Sequence, residues 1–124
     1  MNTFHSESQI QMNCLFCKII NHELPATRLF ENDEFLAIND ISPVAPIHIL
    51  LLPKLHIPTI NDLHTEHTTL MGKMLITAAD IAKNAQTDVS GYRLVYNINS
   101  DAQQTVFHVH LHILGQRKFS WPPG

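Results

Sequence analysis

His108-Val109-His110-Leu111-His112-Ile113 is the stretch that decides how this chain reads. In an extended strand successive side chains point to opposite faces. The three imidazoles would therefore share one face, with Val109, Leu111 and Ile113 packed behind them. Unperturbed histidine titrates near neutrality, and its neutral ring nitrogen serves as base, nucleophile or metal ligand. Three such rings on one sheet face do little for stability, so the pattern points to a reactive site. As metal ligands, rings at i, i+2 and i+4 spread over about 13 Å, so at most one or two could share an ion. Nucleophilic or acid–base work by the middle histidine, between polarising neighbours, suits the spacing better.

Working outward, Val106 to Leu114 reads as the strand that carries these residues, and Tyr92 to Asn97 as a second strand before it. Ile98 to Gln104 is a polar connection between the two. Upstream, Leu63, His67, Leu70, Met71, Met74, Leu75, Ala78, Ile81 and Ala82 recur at helical spacing. They predict one long helix over about Thr65 to Lys83, with His67 at the edge of its buried stripe. Thr27 to Glu31 and Glu34 to Asn39 form a hairpin pattern around Asn32-Asp33. His48 to Pro53 is a continuous apolar run suited to a central strand. Between them Ile41-Ser42-Pro43-Val44-Ala45-Pro46 is a loop, because proline removes donors and disfavours helix just before it. Leu15 to Asn21 reads as a short helix. Strands, one long helix, then more strands indicate an α+β fold with antiparallel pairing.

The 124 residues fit one domain, and 44% hydrophobic with 15% charged residues is an ordinary globular balance. A formal net charge of −3 gives no case for nucleic acid as the main partner, though one local site can still hold a small phosphate-bearing ligand. Residues 1–12 are polar, without an apolar run or basic start, and read as a flexible arm ahead of a single domain over 13–124. No apolar stretch approaches a membrane span. Cys14 and Cys17 are too close to staple distant elements, which suggests reduced thiols and a cytoplasmic protein.

Several residues carry two readings. Cys14-Leu15-Phe16-Cys17 has metal-ligand spacing, yet two ligands do not make a tetrahedral zinc site; histidines elsewhere would have to complete it. Otherwise the pair is two small semi-buried thiols. Asp40 and His48 bracket the proline loop, where Asp40 is as suited to capping a turn as to holding a ligand. Asn97, Gln104 and Thr105 flank the loop before the histidines and have the chemistry to donate to an oxyanion, or simply face water.

Gln104-Thr105-Val106-Phe107-His108-Val109-His110-Leu111-His112-Ile113-Leu114 resembles the signature of the histidine-triad (HIT) family. Phe16-Cys17-Lys18-Ile19-Ile20, Asp40-Ile41-Ser42-Pro43, Ala45-Pro46-Ile47-His48, Pro53-Lys54-Leu55-His56-Ile57 and the ending Trp121-Pro122-Pro123-Gly124 resemble its Hint branch, in order from Cys14 to Gly124. The resemblance implies a five-stranded antiparallel sheet extended across a homodimer. It also implies hydrolysis of purine nucleoside 5′-phosphoramidates. His110 would attack the α-phosphorus to give a nucleotidyl-histidine, and His112 would stabilise the developing charge. His48 and His108 would orient the cluster. Asn97, Gln104 and Thr105 would contact phosphate or leaving group, Asp40 the ribose hydroxyls, and Phe16, Ile19, Ile38 and Ile41 the base. Some members bind zinc through positions that here are Cys14, Cys17, His56 and His108. Two other readings stay open: dinucleoside polyphosphate hydrolysis, as in a neighbouring branch, and a non-catalytic nucleotide-binding scaffold. One departure stands out. The loop after Asn97 is commonly glycine-rich in this branch, but reads Ile98-Asn99-Ser100-Asp101-Ala102-Gln103 here, and alanine and glutamine resist positive φ. The loop is therefore expected to sit differently.

Overall fold

The computed structural model describes residues 13–124, so the expected arm over 1–12 lies outside the described residues. Leu15–Ile20 forms a short helix, α1. Strands β1 (Arg28–Glu31), β2 (Phe35–Asn39) and β3 (Ile47–Pro53) follow. Two single 3₁₀ turns then lead into the long helix α2 (Thr68–Asn84), and β4 (Tyr92–Val95) and β5 (Leu111–Gly115) close the order. The five strands make one antiparallel sheet in the order β1-β2-β3-β5-β4. The apolar run at Ile47–Pro53 is indeed central, flanked by β2 and β5. The β1–β2 turn is set by Asn32, whose Oδ1 accepts from the amides of Glu34 (2.9 Å) and Phe35 (2.7 Å).

The central strands are buried on both faces, and residue parity separates the two sides. Phe35, Ala37, Ile49, Leu51, Leu111 and Ile113 pack with Met74, Ala78, Ile81 and Ala82 of α2. Leu36, Ile38, Leu50 and Leu52 face the other way, onto Cys14, Phe16, Cys17 and Ile19 of the α1 segment. The sheet is about 20 Å across its five strands at the usual spacing, whereas six helical residues span only about 9 Å. Helix α1 therefore cannot cover its face of the sheet. The uncovered part is where a cleft forms.

Several elements differ from the sequence expectation. Helix α2 starts at Thr68, and Thr65–His67 is a 3₁₀ turn ahead of it. Leu75 is 49% exposed and not part of the buried stripe; one residue on from Met74, it points about 100° away around the helix. Strand β4 stops at Val95, opposite His112, and β5 begins only at Leu111. Residues 106–110 leave the ladder, and Val109 N–H donates instead to the Ile57 carbonyl beyond β3 (2.7 Å).

Candidate active site

The three histidines keep their alternation although only His112 lies within β5. Val109, Leu111 and Ile113 enter the α2 core, and the imidazoles stand on the α1 side. There they diverge. His110 and His112 line a cleft of about 420 Å³ between α1, the start of the proline loop and residues 97–106. His108 does not line this cleft; it is fully buried and points at the cysteines.

Each ring has one nitrogen held by a partner, and the partner dictates the tautomer. His110 Nδ1 lies 2.8 Å from the carbonyl of His108. A carbonyl only accepts, so Nδ1 carries the proton and Nε2 keeps its lone pair. The amide of Val44 donates to His48 Nδ1 (3.1 Å), which leaves the His48 proton on Nε2. That atom lies 2.9 Å from His112 Nδ1 and 3.3 Å from Asp40 Oδ2. His112 Nδ1 is then an acceptor, and its own proton sits on Nε2. One histidine with a bare nitrogen stands beside one with an N–H, their ring centroids 5.1 Å apart. The pair is suited to attack an electrophile and to donate to the charge that develops on it.

Burial keeps these rings neutral. His110 and His48 are pushed below the ordinary histidine value chiefly by desolvation, which the His108 carbonyl and the Asp40 carboxylate respectively oppose. His112 is pushed down to about 4 by burial, then by its neighbours His110 and His48, with Asp40 opposing. A neutral imidazole is the form that can attack.

The rest of the cleft separates by chemistry. Phe16, Ile19, Ile38 and Ile41 supply apolar wall, with Leu24 and Leu50 beside them. The Phe16 ring meets His110 edge-on at 5.0 Å. Ile41 is 97% exposed and stands at the rim. Asp40 turns one carboxylate oxygen to the Ser42 amide (2.7 Å) and the other to His48. It caps a turn and lines the cleft at once. Asn97 and Thr105 line the opposite side.

Gln104 does not join them. It is buried, its Nε2 donates to the carbonyls of Pro58 (2.8 Å) and Val106 (3.1 Å), and its Oε1 accepts from the Asn99 amide (2.9 Å). With donor and acceptor both committed, it braces the loop. The neighbouring Gln103, which sequence reasoning did not single out, lines the cleft instead. The loop reaches this arrangement by placing Asn99 and Gln103 in the left-handed region, φ 64° and 63°. Glutamine thus adopts the conformation that glycine would take without cost.

Cys14, Cys17, His56 and His108 converge with all their ligand atoms within 4.8 Å of one another, a group that could hold a metal ion. Cys14 Sγ and Cys17 Sγ lie 3.4 and 3.6 Å from His108 Nδ1. Cys17 Sγ is 3.4 Å from His56 Nδ1, and the two Nδ1 atoms are 3.2 Å apart. Ordinary Zn–S and Zn–N lengths around a tetrahedral centre give edges of about 3.5 Å for S···N and about 3.3 Å for N···N. The residues fit. His108 Nε2 donates to the Pro53 carbonyl (2.7 Å), which frees Nδ1 for this set.

A histidine with a bare nitrogen, a neighbouring histidine N–H and a carboxylate lining an apolar cleft are the arrangement expected of a histidine-triad hydrolase. The family model described as "Scavenger mRNA decapping enzyme C-term binding" matches residues 13–121. The purine nucleoside phosphoramidase of Escherichia coli is 44% identical over 103 residues, 83% of this chain and 87% of that protein. An uncharacterized HIT-like protein of Synechocystis is 44% identical over 110 residues, 89% of this chain and 96% of its own. A crystal structure of a HIT family hydrolase from Legionella pneumophila superposes with a TM-score of 0.89 at 50% identity, covering 90% of this chain and all of that one. The chain belongs to the HIT family. Among the described residues, no helix is long and apolar enough to cross a membrane.

Proposed function

We propose that the protein hydrolyses the P–N bond of purine nucleoside 5′-phosphoramidates, with His110 as nucleophile. The observation that carries this reading is the hydrogen bond from His110 Nδ1 to the His108 carbonyl, which leaves Nε2 unprotonated in the cleft. In the first step Nε2 bonds to the α-phosphorus and the P–N bond breaks. The departing amine takes the bonding pair and acquires a proton from water. In the second step a water oxygen bonds to phosphorus, the N–P bond to His110 breaks, and the water's proton is released. His112 Nε2–H donates to the phosphoryl oxygen as charge builds on it. Asp40 accepts from the ribose hydroxyls, Asn97 and Thr105 contact the phosphate or leaving group, and the Phe16–Ile19–Ile38–Ile41 wall takes the base. His48 and His108 hold the two reacting rings in register.

Cys14, Cys17, His56 and His108 are the ligands of a structural zinc in this reading. With four protein ligands the site is closed and contributes stability rather than chemistry. Such thiolates suit a reducing, cytoplasmic setting. The chain works as a homodimer, a reading supported by the exposed edge strand β4 with Leu94 on its surface and by Trp121 at 81% exposure. A monomeric mass in sedimentation would contradict it.

The decisive test is His110→Ala assayed on an adenosine 5′-phosphoramidate. Turnover should fall at least about 10³-fold, and rapid-quench mass spectrometry should find a nucleotidyl adduct on the wild-type chain only. Wild-type turnover in the variant would end the proposal. Faster cleavage of a diadenosine polyphosphate would favour the dinucleotide reading instead.

A further inference from the structure

Behind the cleft, the C-terminal segment reaches back to the proline loop. After β5 the chain turns at Gln116 with a left-handed φ of 66°, and Arg117 follows. Arg117 Nε donates to the Val44 carbonyl at 2.9 Å. Its guanidinium lies 4.2 Å from the centre of the Phe119 ring, and Arg93 of β4 stands over the same ring at 4.9 Å. Arg93 also donates to the Ser120 carbonyl (3.1 Å), which fixes the segment to the sheet edge. The Arg117 fork is thus oriented by an aromatic face before it meets the loop.

Val44 is the residue whose amide sets the tautomer of His48. Both of its backbone groups are therefore occupied: N–H on His48 Nδ1, C=O on Arg117. It sits between Pro43 and Pro46, which have no amide hydrogens to anchor the loop, and it is 58% exposed. We propose that Arg117 is a positioning residue for His112. By pinning Val44 it keeps the Val44 N–H on His48 Nδ1, and so keeps the His112 proton on Nε2, facing the cleft.

The relay has an alternative state, and that is why an anchor matters. If Val44 drifts, only the Asp40 carboxylate, 3.3 Å from Nε2, still favours the proton there. His48 gains the form with its proton on Nδ1 and a bare Nε2 toward His112. His112 must then donate through Nδ1, and its cleft-facing Nε2 becomes a lone pair. A lone pair there repels a phosphoryl oxygen where an N–H would bind it. The catalytic consequence rests on the phosphoramidase reading above; the proton positions do not.

The test uses Arg117→Met, which removes the donor and keeps the stem, Arg117→Lys, which restores one donor, and Val44→Pro, which deletes the amide itself. Imidazole ¹⁵N NMR of the substrate-free full chain at pH 8 reads the His48 and His112 tautomers directly. The native chain should show His112 protonated at Nε2. R117M should show a mixture, R117K a partial return, and V44P a loss of the Nε2–H form. On a phosphoramidate, R117M should lower kcat about three- to tenfold, the worth of one hydrogen bond, and leave KM within about twofold. Unchanged tautomers in both R117M and V44P overturn the relay. A fall in kcat without a tautomer change also overturns it, because Arg117 would then be merely structural. If the native chain cleaves no phosphoramidate, the functional reading fails while the NMR result still decides the relay.

Discussion

His108, His110 and His112 are the same residue type at equal spacing, yet each presents a different nitrogen because of the atom that meets its ring. A backbone carbonyl on His110 Nδ1 leaves a bare Nε2, and the His48 N–H on His112 Nδ1 leaves an N–H on its Nε2. The Pro53 carbonyl on His108 Nε2 turns its Nδ1 toward the two cysteines. The alternation was legible in the sequence; the tautomers were not, since their partners come from Pro53, Val44 and the chain's own backbone. The commitment of Gln104 to the loop was not legible for the same reason. A polar loop residue looks available until its neighbours in space are known, and here three backbone groups consume it. Gln103 offers a residue-scale prediction. At φ 63° its Cβ is crowded, and glycine would relieve about 1 kcal/mol. Gln103→Gly should therefore raise the thermal midpoint by about 4 °C in calorimetry. An unchanged or lower midpoint would mean that the glutamine side chain contributes as much as its backbone costs.

At the scale of elements, most strands and the long helix followed from the residue pattern, but the order of the strands and the start of β5 did not. Nothing in Val106 to His110 says that Val109 will pair with the loop after β3, and that pairing is what separates His108 from the ladder. The displacement lets His108 meet Cys14 and Cys17 from the α1 segment and His56 from beyond β3, so three separate pieces of chain converge on one point. Zinc held there should appear at about one equivalent per subunit by elemental analysis and should be lost in Cys14→Ser. Metal-free native protein, purified without chelator, would count against the site. A second contact between elements is equally specific. A Cβ on Gly115, at the end of β5, would lie 2.6 Å from Thr87 Cγ2 in the α2–β4 connection. Thr87 is fully buried and donates to the Ala82 carbonyl (2.8 Å), so it cannot swing aside freely. Gly115→Ala should cost about 1–3 kcal/mol by overpacking. Adding Thr87→Ser removes the offending methyl and keeps the hydroxyl, so the double variant should recover most of the loss in urea denaturation. Additive losses would show that the clash is not the cause.

Across the whole molecule, the cost of housing a histidine cluster should appear as acid sensitivity. Among the described residues no buried side-chain nitrogen or oxygen lacks a partner, so the rings are accommodated as neutral groups. His112 is faced by His110, His48 and Asp40; the first two and burial hold it near 4, while Asp40 pulls the other way. His48, beside Asp40, is lowered by burial. In the unfolded chain both groups return to about 6.5. Between pH 6.5 and 4 the unfolded state therefore binds protons that the folded state refuses, and stability falls as pH falls. The contribution is complete above 6.5 and declines as pH drops toward the folded values. Glu31 acts in a separate window. Arg28 and then Lys54 hold it down to about 2 from 4.5, so its contribution is lost only below 4.5, and on an exposed edge it is small. Urea midpoints measured from pH 7.5 to 4.5 should thus fall steadily below 6.5 in the native chain. Any histidine–cysteine metal set would add to the same trend, so the discriminating comparison is His112→Asn, which removes one of the suppressed titrations. Its midpoint should fall less steeply over the same range. An identical slope in the two proteins would show that the cleft pair is not where the acid sensitivity lies.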